Sequence, residues 1–116
     1  MADYEDFTID QGADVAIELH LKEADGSVKD LTAHTVTSKM KRNYNTTEGV
    51  DFTCVVQDPP TSGIAVMSLT NLQTDTLNTS GRYVYDVELS YVDTNSNVII
   101  ERILEGKIKV NPSVTK

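Results

Sequence analysis

The sequence contains no tryptophan, two phenylalanines and one cysteine among its 116 residues. One cysteine cannot form an internal disulfide, so apolar packing must hold the fold together, and aliphatic residues with five tyrosines must supply that packing. A chain of this length is expected to form a single domain over residues 1–116 and to bury about two-thirds of the surface that its unfolded form exposes. The lone thiol favours synthesis and folding in a reducing cytoplasm.

Positive charge and long apolar runs are also scarce. The chain has 18 acidic and 10 basic residues, which gives a formal net charge of −8. This balance argues against nucleic acids and anionic membranes as partners, because both attract basic surfaces. No apolar run approaches the ~20 residues that a membrane helix needs. The acidic start, "MADYEDFTID", also lacks the basic and apolar segments of a signal peptide.

Alternation of apolar and polar residues is the dominant pattern. It recurs in "VAIELHLK", "TVTSKMK", "VDFTCVV", "IAVMSL", "GRYVYDVELSYV" and "NVIIERILEGKIKV", with turn residues between these segments. Gly106 interrupts the last segment and predicts a bulge or bend there. About seven strands at this spacing, with at most one helical turn around residues 72–77, predict an all-β antiparallel sandwich with less than a tenth helix. The residues expected to be buried are Val15, Ile17, Leu19, Leu21, Val36, Phe52, Cys54, Tyr83, Tyr85, Val87, Leu89, Ile108 and Val110.

The segment "TSGRYVY" has the spacing of the tyrosine corner found in immunoglobulin-like domains. Gly81 and Tyr83 occupy the corner positions, and Tyr85 stands where the second cysteine of the inter-sheet disulfide would be. We expect the Tyr83 hydroxyl to bond to the backbone of residues 75–78 and Leu77 to anchor the connection from below. The predicted fold is therefore immunoglobulin-like and lacks that disulfide.

Each candidate for chemistry has a simpler structural explanation. Asp93, Asn95 and Asn97 match the first three ligand positions of an EF-hand loop, but Val98 and Leu104 replace the glycine and the bidentate glutamate that calcium requires. His20, His34 and Cys54 offer no spaced pair for zinc, and Cys54 alternates with apolar neighbours as a small core residue does. We expect no metal, no cofactor and no enzymatic activity. The enzymatic alternative is a hydrolase whose paired carboxylates would come from Asp86, Glu88, Glu101 and Glu105.

The segments outside the strand pattern are the expected contact surfaces. They are an acidic N-terminal arm over residues 1–8, the loop "RNYNTTEG" over residues 42–49, and a tail over residues 111–116. Such arms are often disordered alone and ordered when docked, so removing residues 1–8 is expected to leave the fold intact. The predicted contact residues are Asp3, Tyr4, Glu5, Asp6, Arg42, Asn43, Tyr44, Asn45, Pro112 and Val114. Tyr4 and Tyr44 are also the tyrosines free to stack on a sugar, which leaves a carbohydrate- or receptor-binding module open.

An ordered set of phrases spans nearly the whole chain. It comprises "DFTIDQG" at residues 6–12, then Leu21, Asp25-Gly26 and Asp30-Leu31-Thr32. It continues with Gly81, Tyr83 and "YDVEL" at residues 85–89, and ends with "RILEGKIKVNPSVT" at residues 102–115. This layout resembles the immunoglobulin-like module of tailed-phage virion proteins of the baseplate-upper-protein type.

The resemblance implies a structural role in a tailed-phage virion, made in the host cytoplasm. The implied partners are other virion proteins, either tail and baseplate subunits or the major capsid subunit, and self-association is expected to be weak. Larger members of that type continue beyond the module into oligomerising and receptor-directed segments, whereas this sequence ends at Lys116. Decoration of the capsid therefore stays open beside a place in the baseplate.

Overall fold

A computed structural model describes residues 3–45 and 49–113 as two β-sheets packed face to face. The large sheet has the order β1-β9-β8-β4-β5, with β2 also paired to β9, and the small sheet has the order β3-β7-β6. The strands are β1 (Asp3–Tyr4), β2 (Phe7–Asp10), β3 (Val15–His20), β4 (Thr35–Lys41), β5 (Val50–Asp51), β6 (Thr53–Val56), β7 (Ile64–Leu69), β8 (Arg82–Val92) and β9 (Val98–Asn111).

Within residues 3–45 and 49–113, helix is confined to two short pieces. A 3-10 turn covers Pro60–Ser62, and the helix α1 covers Asn71–Asp75. Thr70 and Gln73 form a capping box at the start of α1, which satisfies amide groups that have no partner inside so short a helix. Among the described residues, 54% lie in strands or isolated bridges and 7% in helices, so the predicted all-β class with less than a tenth helix is confirmed, and α1 lies at the predicted helical turn.

The core lies between the two sheets and consists mainly of aliphatic side chains and methionines, with Phe52, Tyr83 and Tyr85 as its aromatic residues. Nine of the thirteen residues predicted to be buried are buried. The other four, Val15, Ile17, Leu21 and Cys54, are half-buried and pack against the core. They lie on or beside β3 and β6, the two edge strands of the small sheet, where neighbours cover a side chain on one side only.

The N-terminal segment is part of the large sheet, so the prediction that residues 1–8 form an arm outside the strands is wrong for the described residues of that range. Asp3 and Tyr4 pair in parallel with Leu104 and Glu105, and β2 continues the parallel pairing with Ile108–Asn111. Phe7 packs against the core, and Ile9 is buried within it. The alternating apolar residues Phe7 and Ile9 account for this pairing, because they give the segment a face to bury.

The irregularity in β9 lies at Ile103 and not at Gly106 as predicted. Val87 pairs with Leu104 and Glu88 pairs with Arg102, so Ile103 is an extra residue without a partner on β8. A bulge of this kind reverses which side chains face the core on either side of it. Gly106 instead lies opposite Tyr85 in regular pairing, at the place where the N-terminal segment comes closest to β9.

Candidate contact surfaces

Tyr83 forms the corner that the sequence predicts. The backbone N–H of Asn78 donates to the Tyr83 hydroxyl oxygen over 2.8 Å, and Leu77 is buried beneath the connection. Gly81 has a φ of 78°, in the left-handed region that favours glycine. The Arg42 guanidinium carbon lies 5.0 Å from the centre of the Tyr83 ring. Arg42, a predicted contact residue, is therefore engaged in a cation–π contact at the corner.

Tyr85 ties the N-terminal segment to the middle of the large sheet. Its hydroxyl donates to the carbonyl oxygen of Glu5 over 2.5 Å, and its ring centre lies 5.4 Å from that of Phe7. Burial raises the pKa of the Tyr85 phenol well above its ordinary value. A Cβ atom on Gly106 would lie 1.9 Å from the same Glu5 carbonyl oxygen. Glycine at position 106 thus allows β1 to lie against β9.

The outer face of the large sheet, which is turned away from the small sheet, carries a row of charges. Tyr4, Glu105, Asp86, Lys39 and Asp51 are successive neighbours across five strands. Lys39 pairs with Asp51 at 3.4 Å, and Arg102 pairs with Asp86 at 3.3 Å and with Glu105 at 3.7 Å. Exposed pairs of this kind add little stability. What they provide is a mixed-charge surface at the centre of the face.

Two exposed tyrosines, Tyr4 and Tyr44, lie on the outer face with these charges. Tyr44 lines a groove of about 450 Å³ together with Lys41, Asp86 and Arg102, and 75% of Tyr44 is exposed. Tyr4 is 63% exposed. The pKa of Tyr4 is raised, chiefly by partial desolvation and secondarily by a hydrogen bond with the Asp6 carboxylate. Both aromatic rings are therefore available to a ligand or a partner on the outer face.

An apolar patch, which we define as Val92, Val98 and Ile100, lies at the end of the outer face where β8 turns into β9. The three side chains are 63%, 66% and 62% exposed, and Val92 pairs directly with Val98. Sequence reasoning missed the patch because the bulge at Ile103 reverses the alternation of β9. In unbroken alternation with buried Leu104, Val98 and Ile100 would face the core. The signal that could have revealed the reversal is Arg102, a charged residue at one of those inward positions.

The remaining predicted contact residues lie at the surface as follows. Asp3 is exposed, and the Asp6 carboxylate accepts from the backbone N–H of Lys107 over 2.9 Å. The Asn43 side-chain oxygen accepts from the backbone N–H of Asn45 over 3.0 Å, and Pro112 is exposed. Val114 and residues 46–48 of the predicted loop lie outside the described residues.

The segments considered for metal binding and catalysis have structural partners. Asp93 accepts from the backbone N–H groups of Asn95 and Asn97, which closes the β8–β9 turn. Within residues 3–45 and 49–113, no group of three or more acidic, histidine or cysteine side chains is arranged to hold a metal ion. Asp86 and Glu105 share Arg102, as described, and Glu101 accepts from the hydroxyl of Tyr91 over 2.8 Å.

The two sheets, their strand order and the tyrosine corner together define an immunoglobulin-like β-sandwich domain. A solved structure of murine CRIg is similar in fold, with a TM-score of 0.52, 14% sequence identity and coverage of 92% of each chain. At that identity the likeness concerns the fold alone. Comparison with protein-family models and with curated proteins gives no match. Among the described residues, no helix is long and apolar enough to cross a membrane.

Proposed function

We propose that this chain is a non-enzymatic structural module of a tailed-phage virion that docks on other virion subunits. Two independent observations support this function. The ordered phrases from residue 6 to residue 115 resemble those of a phage baseplate module, and this resemblance is the reason for placing the chain in a virion. The apolar patch supports docking and is the observation that carries the proposal.

The patch favours a protein partner because exposed aliphatic side chains gain free energy when another apolar surface covers them. Burial of apolar area contributes about 25 cal/mol per Å². Val92, Val98 and Ile100 adjoin one another on two paired strands, and polar residues such as Thr35 and Ser90 lie next to them on the outer face. An apolar centre with a polar rim is the usual composition of a protein–protein contact.

The test is incorporation of the chain into particles. Val98→Ser with Ile100→Ser should leave the fold intact, since both side chains are exposed, and should reduce incorporation. The matched control is Val55→Ser, which changes a valine of similar exposure (58%) on the small sheet. Mass spectrometry of separated heads and tails then decides the location. Presence in tails supports the baseplate, presence in heads supports capsid decoration, and absence from both contradicts the proposal.

A carbohydrate- or receptor-binding module is the second candidate, favoured by Tyr4 and Tyr44 on the outer face. Sugars stack on exposed aromatic rings, and the charged groove beside Tyr44 offers donors and acceptors for hydroxyl groups. This function predicts glycan-array binding that Tyr44→Ala removes and that Val98→Ser with Ile100→Ser leaves unchanged. Binding that survives Tyr44→Ala would contradict it.

A further inference from the structure

The strand β3 is an edge of the small sheet with one side unpaired. It pairs with β7 from Val15↔Leu69 to His20↔Ile64, and no other described strand pairs with it. The backbone N–H of Leu21 donates to the Gly63 carbonyl over 2.8 Å, which continues this ladder. In an antiparallel ladder, the backbone N–H and C=O groups of successive residues point alternately toward the partner strand and away from it. Ala16, Glu18 and His20 therefore direct their N–H and C=O groups outward.

A groove of about 1030 Å³ runs beside this edge, between β3 of the small sheet and the β1–β9 edge of the large sheet. Its apolar lining comes from Phe7, Leu19, Leu21, Ile103 and Leu104. A strand added to β3 would point alternate side chains toward this lining, and the others would stand beside Ala16, Glu18 and His20. The groove and the unpaired edge thus suit the same kind of ligand, an extended chain.

The rim of the groove is acidic. Asp3, Glu5, Glu18 and Glu101 lie along it. The Lys29 ammonium is paired with Glu23 at 2.8 Å, and the Arg102 guanidinium is paired with Asp86 on the outer face at 3.3 Å. Lys22 and His20 also line the groove, and the His20 Nε2 atom lies 2.6 Å from the Glu18 carboxylate. The four carboxylates still outnumber Lys22, so negative charge exceeds positive charge along the rim. A second copy of the chain would bring another acidic rim and a net charge of −8 to this edge, so repulsion disfavours it as the occupant.

We propose that β3 is a strand-addition site for an extended basic segment of a partner protein, with apolar residues at alternate positions. Backbone hydrogen bonds to Ala16, Glu18 and His20 would provide affinity, and the acidic rim would select lysine and arginine. This names the partner chemistry for the docking function proposed above and rests on that function. The surface itself is separate from the apolar patch, which lies on the other face of the large sheet.

The experiment uses the full ¹⁵N-labelled chain and a blocked heptapeptide that alternates lysine with valine. Binding should shift the amide resonances of Ala16, Glu18 and His20 most strongly and should slow hydrogen exchange at those three amides. The same peptide with glutamate in place of lysine should not bind. Glu18→Lys should weaken binding roughly tenfold. Glu88→Lys is the matched control, because it makes the same charge change on the outer face and should have little effect.

Glu18→Pro is a second variant, which removes an outward N–H group without removing a hydrogen bond to β7. Edge strands tolerate proline at positions whose N–H group faces solvent. It should abolish peptide binding while the exchange protection of the other strands is retained. Shifts that map to the outer face, equal binding of both peptides, or no binding would overturn the inference. So would dimerisation of the free chain with protection of the three amides, which would make a second copy the occupant.

The two proposals fail separately. Loss of particle incorporation in the patch variant, without peptide binding at β3, would overturn the strand-addition site and leave the docking function standing. Peptide binding at β3 by a chain that is found in neither heads nor tails would overturn the virion role and leave the strand-addition site standing.

Discussion

Tyr83 illustrates how one side chain fixes a connection between the two sheets. Its hydroxyl accepts the backbone N–H of Asn78, and Arg42 covers its ring. Tyr83→Phe keeps the ring but leaves that N–H without its partner. We expect the free energy of unfolding to fall by about 1 kcal/mol.

Denaturant unfolding of the variant and the unchanged chain measures this difference. Tyr44→Phe is the matched control, since it removes the same hydroxyl from a side chain that is 75% exposed, and it should change stability by less than about 0.5 kcal/mol. Equal stability of Tyr83→Phe and the unchanged chain would show that the corner hydrogen bond contributes nothing.

At the scale of elements, the parallel pairing of β1 and β2 with β9 is the feature with the largest consequences. Glu5 donates its backbone N–H to the Glu105 carbonyl over 2.9 Å and accepts the hydroxyl of Tyr85 through its own carbonyl. Phe7 packs against the core. Removal of residues 1–8 would delete all of these contacts, so the truncated chain should be less stable, contrary to the expectation from sequence.

Gly106→Ala tests this pairing with a single methyl group. The added Cβ would lie 1.9 Å from the Glu5 carbonyl oxygen, so β1 must move away from β9. Overpacking of this kind costs about 1–3 kcal/mol. The expected result is a lower free energy of unfolding together with faster amide exchange at Glu5.

The matched control is the same substitution in a chain that lacks residues 1–5. Without the Glu5 carbonyl the methyl group meets chiefly the Tyr85 ring, whose nearest atom would be 3.1 Å away. The cost of Gly106→Ala should therefore be much smaller in the truncated chain, and the difference between the two costs measures the coupling. An equal cost in both chains would show that the destabilisation by Gly106→Ala does not come from the Glu5 carbonyl.

For the whole molecule, the two proposed contact surfaces lie on different sides of the sandwich. The apolar patch is on the outer face of the large sheet, whereas the β3 edge opens along the side between the sheets. A module with two separate surfaces can bridge two neighbours in a repeating assembly. Modest contacts then sum over many copies, so strong binding by an isolated domain is not required.

The sequence by itself determined the fold class and the corner. Alternation with period two marks strands wherever one face is buried, and the Gly81–Tyr83 spacing carries its own local geometry, so both could be predicted without tertiary information. Most of the core followed for the same reason, including Val87 and Leu89 on β8.

Only the tertiary structure decided which faces remain free. The short segment Asp3–Tyr4 has too few residues for a periodic signal, and its pairing depends on Gly106, about a hundred residues later in the sequence. The apolar patch depends on a bulge at Ile103, whose one extra residue turns Val98 and Ile100 from the core to solvent. The open edge of β3 depends on where every other strand pairs. These are long-range properties, because pairing between distant strands is set by the whole sheet and not by the residues of one strand.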